Sequence, residues 1–193
     1  MIDHVYISCH CRLITYSAHL IKMVNAIRSI SNEIIIDIHL CVDRPARYVE
    51  ALAEAGANRI IFMFEALDKA SAIEMANSIR KYGMQAGISL NPSTPVDSVF
   101  PLLNSGLFDT VDLLAVQPGF GGQELQESVL HKIQELQQWI KQRNHGIKIM
   151  VDGGVNKKTS AAIRNSGADI LVAGTFLFQH AISVAEGAKE LRL

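Results

Sequence analysis

The residues best placed to do chemistry lie in Gly146-Ile147-Lys148-Ile149-Met150-Val151-Asp152-Gly153-Gly154-Val155, with an echo in Ala168-Asp169-Ile170-Leu171-Val172-Ala173-Gly174-Thr175. Each is a short run rich in Ile and Val that stops at glycine and leads into a helical pattern, which reads as a buried strand feeding a helix. Asp152 closes the first run, at the strand edge where α/β folds place reacting groups. Gly153, Gly154 and Gly174 leave backbone N–H groups without side-chain cover, and such groups at a strand-to-helix turn gather anions. A carboxylate beside a phosphate is the chemistry this arrangement supports.

Three other stretches carry polar groups in telling places. In Asp37-Ile38-His39-Leu40 the strand alternation puts Asp37 and His39 on one face of an apolar run. The imidazole is then either a hydrogen-bonded core group or a metal ligand, and the stretch alone leaves both open. Gln117-Pro118-Gly119-Phe120-Gly121-Gly122-Gln123 follows a strand ending at Val116 and opens a helix from Glu124 to Lys141. Glycines around one aromatic suit a loop that closes over a small ligand, with an ordinary glycine-rich turn as the alternative. Asn91-Pro92-Ser93-Thr94-Pro95 reads as a turn, with Thr94 capping a helix and Pro95 in its first position. Cys9-His10-Cys11 has the composition of a metal cluster, but neighbours on a regular strand cannot all face one ion.

These groups need a scaffold, and the glycine punctuation describes one. Gly56, Gly83, Gly106, Gly146 and Gly167 each end a helical pattern and precede an apolar run. The runs are Arg59 to Phe64, Met84 to Leu90, Val111 to Val116, Ile147 to Val151 and Asp169 to Ala173, after an earlier one at Ile34 to Val42. A seventh strand is expected at His4 to Ser8, before a helix from Ala18 to Ile30. Helices such as Pro45 to Ala55 are amphipathic, with Tyr48, Val49, Leu52 and Ala55 on one face. Serial βα units with strands this apolar need a parallel sheet covered on both faces or a closed barrel, and periodicity does not choose between them.

Composition narrows the partners. At 193 residues, with no linker or low-complexity tract, the chain reads as a single domain over 1–193 in which 1–17 are atypical. A formal charge of -1 and no basic stripe argue against nucleic acid. Three unspaced cysteines and the lack of a leader pattern point to the cytoplasm, and no apolar run approaches a membrane span.

Taken together, Asp37-Ile38-His39-Leu40, Leu90-Asn91-Pro92-x-Thr94-Pro95, Val116 to Gln123, Val151-Asp152-Gly153-Gly154-Val155-Asn156 and Ala173-Gly174-Thr175 resemble the ribulose-phosphate 3-epimerase family and its relatives acting on ketohexose phosphates. The likeness runs in unbroken order from about residue 18 to 185. It implies a TIM-type (βα)8 barrel that epimerises a ketose phosphate at C3 through an enediolate, using two opposed aspartates and one divalent metal ion. The sugar would be ribulose 5-phosphate or a ketohexose 6-phosphate, and the metal Zn, Fe, Mn or Co. Asp152 matches the family's later aspartate, an acid/base and metal ligand, and His39 matches a histidine ligand. Gly119, Phe120, Gly121, Gly122, Gly153, Gly154, Gly174 and Thr175 match the backbone that grips the phosphate. The family's small phosphorylated sugar is the expected partner, and a homo-oligomer is compatible with the pattern.

The chain also departs from the family pattern. The family's other aspartate comes from an H-x-D-x-M-D-G run, whose nearest counterpart is His4-Val5-Tyr6-Ile7-Ser8-Cys9. His4 then matches a metal histidine, and Tyr6 stands where the second base belongs. The family's first strand and helix have no counterpart, so the expectation is an N-terminally shortened barrel lacking the first βα unit, with about seven strands. Cys41 and Leu114 replace methionines of the family's pocket lining. The rival expectation is a phosphosugar-binding protein that kept the grip and lost catalysis.

Overall fold

A computed structural model describes residues 4–9, 17–119, 121–143, 146–180 and 182–192. Strands and helices alternate as β1 His4–Cys9, α1 Ser17–Ile30, β2 Ile35–Leu40, α2 Val49–Ala55, β3 Arg59–Met63, α3 Lys69–Lys81, β4 Gln85–Leu90 and α4 Phe100–Leu103. Next come β5 Thr110–Leu114, α5 Ser128–Arg143, β6 Lys148–Asp152, α6 Ser160–Ser166, β7 Ile170–Val172, α7 Thr175–Phe178 and α8 Val184–Arg192. The described residues gather into two compact bodies, one of residues up to 88 with 102–109, the other of 89–101 with 110 onward.

In the first body β1, β2 and β3 pair in parallel and in chain order, with Ser8 level with His39 and His39 level with Ile61. Every residue of β3 and Ile36 to Leu40 of β2 is buried. Successive strand residues point to opposite faces, so unbroken burial means cover on both sides, as parallel strands require. Helix α3 supplies cover with Ala72, Met75, Ala76 and Ile79, spaced at one helical turn. Arg28 ties the end of α1 down, donating from Nε to the Gly56 carbonyl at 2.8 Å and from Nη1 to the Ile34 carbonyl at 2.6 Å. Gly56 ends α2 in the left-handed region, as its place in the sequence implied.

In the second body β5, β6 and β7 again pair in parallel and in chain order. Thr110 is level with Lys148, Asp112 with Met150 and Leu114 with Asp152. Helix α5 buries Val129, Ile133, Leu136, Trp139 and Ile140. The Trp139 ring stacks on Phe100 at 4.7 Å between centroids.

The structure corrects two local expectations. The helix after the glycine loop starts at Ser128 rather than Glu124, because the Gln126 N–H is drawn to the Ala115 carbonyl at 2.8 Å and holds the preceding chain against the end of β5. The turn after β4 is a 3-10 turn over Val96–Val99, with Pro95 extended at its N-cap position instead of inside it. Lys132 Nζ, reaching from α5, donates to the carbonyls of Asn91, Pro92 and Thr94 and fixes the chain that leads into that turn.

Candidate active site

Asp152 is the last residue of β6 and is half-buried. Its carbonyl accepts the Ala115 N–H at 2.8 Å, which pins the strand tip to β5. The chain then turns through Gly153 and Gly154, both at positive φ, 108° and 66°. A Cβ on Gly153 would lie 2.5 Å from Val116 Cγ2, and one on Gly154 2.5 Å from the Leu125 backbone nitrogen. Glycine is therefore required twice over, by backbone region and by the approach of the neighbouring chain. The Gly154 carbonyl accepts from Thr159 Oγ1 at 2.8 Å and from Asn156 Nδ2 at 3.1 Å, which sets the turn into α6.

The glycine loop after β5 comes to the same edge. A Cβ on Gly121 would lie 3.0 Å from Thr175 Oγ1, and one on Gly122 3.8 Å from Thr175 Cγ2. Gln123 Nε2 closes the base of the loop on the Gln117 carbonyl at 2.7 Å. Around Gly174 there is open space, with nothing within 4 Å of a built Cβ. Phe120, expected in the phosphate grip, lies outside the described residues. Gly121, Gly122 and Thr175 are thus brought together, and Gly153 and Gly154 are held beside Val116 and Leu125.

Asp112 is a site residue that the sequence reading missed. It lies in β5 with no exposure and accepts from Ser89 Oγ at 3.0 Å. Because Leu114 is level with Asp152 and strand side chains alternate, Asp112 lies on the same face one layer deeper. Carboxylate oxygens of Asp112 and Asp152 come within 4.8 Å of each other. Two carboxylates this close repel unless a cation or a proton lies with them, so the donor set fits a divalent cation. The signal in the sequence was an acid in the middle of a run that is otherwise Val and Leu.

In the first body His39 is fully buried, and its Nε2 lies 3.3 Å from Met63 Sδ and 3.4 Å from Cys41 Sγ. Asp37, two residues earlier on the same strand face, is instead paired with Arg59, Nη1 to Oδ2 at 3.0 Å. Arg59 Nε also donates to Gln85 Oε1 at 3.0 Å. Asp37 is therefore held by an ion pair to β3, whereas the His39 imidazole has two sulfur atoms beside its Nε2. His4 heads β1 and is level with Ile35; its side chain lies outside the described residues. Among the described residues, no helix is long and apolar enough to cross a membrane.

An all-parallel α/β chain whose acids and bare glycines collect at the strand tips belongs to the TIM-type barrel class. Solved structures agree on this: KGPDC from Streptococcus mutans superposes with a TM-score of 0.73 at 18% identity, over 98% of this chain and 83% of that one. The described residues supply seven strands of a (βα)8 type of fold. The model of the Ribulose-phosphate 3 epimerase family matches residues 12–178. The ribulose-phosphate 3-epimerase of Chlamydia muridarum (strain MoPn / Nigg) is 35% identical over 168 residues, 86% of this chain and 70% of its own length. That of Bacillus subtilis (strain 168) is 36% identical over 173 residues, 86% of this chain and 77% of its own length. The chain belongs to the ribulose-phosphate 3-epimerase family and is an isomerase of that type.

Proposed function

We propose that the chain epimerises a ketose phosphate at C3, converting ribulose 5-phosphate to xylulose 5-phosphate or acting likewise on a ketohexose 6-phosphate. The observation that carries this is Asp152, half-buried at the tip of β6, followed by a glycine turn in which no side chain fits. A hydrogen beside a carbonyl is weakly acidic, and its removal leaves an enediolate. Asp152 takes the C3 proton on one face of the sugar. Inversion then needs a donor on the other face, and Asp112, lying on the Asp152 side, does not fill that role.

Asp112 and Asp152 would hold one divalent cation, and the family likeness gives His39 the role of a further ligand; carboxylate and imidazole donors suit Zn, Fe, Mn and Co alike. When bound, the cation supplies positive charge for the oxyanion that develops next to C3. Ser89 orients Asp112 through its hydroxyl. Gly119, Gly121, Gly122, Gly153, Gly154 and Gly174 offer backbone N–H groups to the phosphate, and Thr175 its hydroxyl.

A second reading is a phosphosugar-binding protein without turnover, favoured by Tyr6 standing where the family pattern has an aspartate. The purified chain, loaded with Mn, Zn or Co, is to be incubated with ribulose 5-phosphate and followed by NMR. Appearance of xylulose 5-phosphate supports the epimerase, binding without conversion supports the second reading, and no binding removes both.

A further inference from the structure

We propose that His39, Cys41 and Met63 form a binding site for a soft monovalent cation of the Cu(I) class. Strand β2 carries His39, and Cys41 follows two residues later on the same face. His39 is level with Ile61 on β3, so the register carried two residues further places Met63 level with Cys41. The imidazole leans toward this layer, and its Nε2 sits 3.3 Å from Met63 Sδ and 3.4 Å from Cys41 Sγ.

Those separations suit coordination as well as a hydrogen bond to sulfur. A metal about 2.0 Å from nitrogen and about 2.3 Å from sulfur, with a near-tetrahedral angle between them, holds the two donors about 3.5 Å apart. The donor set is imidazole, thiol and thioether, and sulfur ligands of this kind select soft ions over Mg- or Ca-like ones.

On binding, the Cys41 thiol loses its proton to solvent, so the set offers one thiolate beside a neutral imidazole and a neutral thioether. Cys41 itself is in no disulfide and is half-buried, which leaves a way in. The site does not depend on the epimerase reading.

The test is an anaerobic titration of the full chain carrying Cys9→Ser and Cys11→Ser, so that neither other thiol contributes, with the Cu(I)–bicinchoninate complex as the probe. One Cu(I) per chain should transfer, with sulfur and nitrogen neighbours in X-ray absorption. Cys41→Ser and Met63→Leu in that background should each weaken uptake by about tenfold or more. Circular dichroism shows whether each variant is folded, and Met63→Leu serves if Cys41→Ser is not. No transfer to the Cys9→Ser/Cys11→Ser chain, or uptake by folded Cys41→Ser and Met63→Leu as tight as by that chain, overturns the proposal and leaves only hydrogen bonds to sulfur.

Discussion

Arg59 and Asp37 form a buried ion pair, Nη1 to Oδ2 at 3.0 Å, with side chains 7% and 1% exposed. The pair separates two polar residues that share one strand face: Asp37 is held by a neighbouring strand, and His39 points its imidazole toward sulfur donors. Breaking such a pair from one side leaves a charge buried without its counterpart. Arg59→Met should therefore cost about 3–5 kcal/mol. Adding Asp37→Leu should restore much of it, because the stranded charge is gone. Urea unfolding of the two variants checks this, and a double variant that loses the sum of the single losses would contradict it.

Gly154 and Gly174 are both expected to serve the phosphate, yet they differ in what surrounds them. Gly154 has φ 66° and the Leu125 backbone against it, whereas Gly174 has open space. Gly154→Ala should lower stability by about 1–2 kcal/mol from the left-handed backbone alone, with more from the clash. Gly174→Ala should stay within about 0.5 kcal/mol of the parent and show its effect on phosphosugar affinity. Thermal melts with and without ribulose 5-phosphate separate the two; equal melting points for both variants would count against the close approach.

Asp112 is a buried acid to which the proposed function gives a role in binding rather than in folding. Asp112→Leu should cut divalent metal content while leaving the metal-free chain as stable as before or more so, since an apolar side chain of similar size suits the layer beneath Asp152. Metal analysis after dialysis and a melt of the metal-free variant decide it. A variant that keeps its metal and unfolds early would make Asp112 structural.

Asp68 caps α3, accepting the Ser71 N–H at 2.9 Å. That backbone bond, then the Ser71 hydroxyl, hold its carboxyl below the usual carboxylate range. A group whose folded pKa is lowered contributes stability above its unfolded pKa and loses it as pH falls through the folded one. Asp68→Ala should thus lie below the parent in urea midpoint at pH 7, with the gap closing in strong acid. A gap that is the same at both pH values would rule out the charged cap.

The strands were legible because parallel strands buried on both faces are continuous apolar runs, and Asp152 stood out as an acid at a glycine edge. Gly56 and Gly167, ending α2 and α6 in the left-handed region, were legible for the same local reason. What escaped depended on partners far along the chain. The start of α5 is set by the Gln126 to Ala115 bond, and Asp112 draws its meaning from Ser89, 23 residues earlier, and from the register with β6. Arg59 gave no sign in the sequence that it would claim Asp37 and not His39.

In the proposed reaction Asp152 exchanges the C3 proton of a ketose phosphate. Its most direct test is NMR in deuterated water on the metal-loaded chain and its Asp152→Asn variant, with ribulose 5-phosphate as substrate. Deuterium should enter at C3 with the parent and not with Asp152→Asn, while phosphosugar binding by the variant stays within a few-fold. Exchange that persists in Asp152→Asn would contradict the assignment.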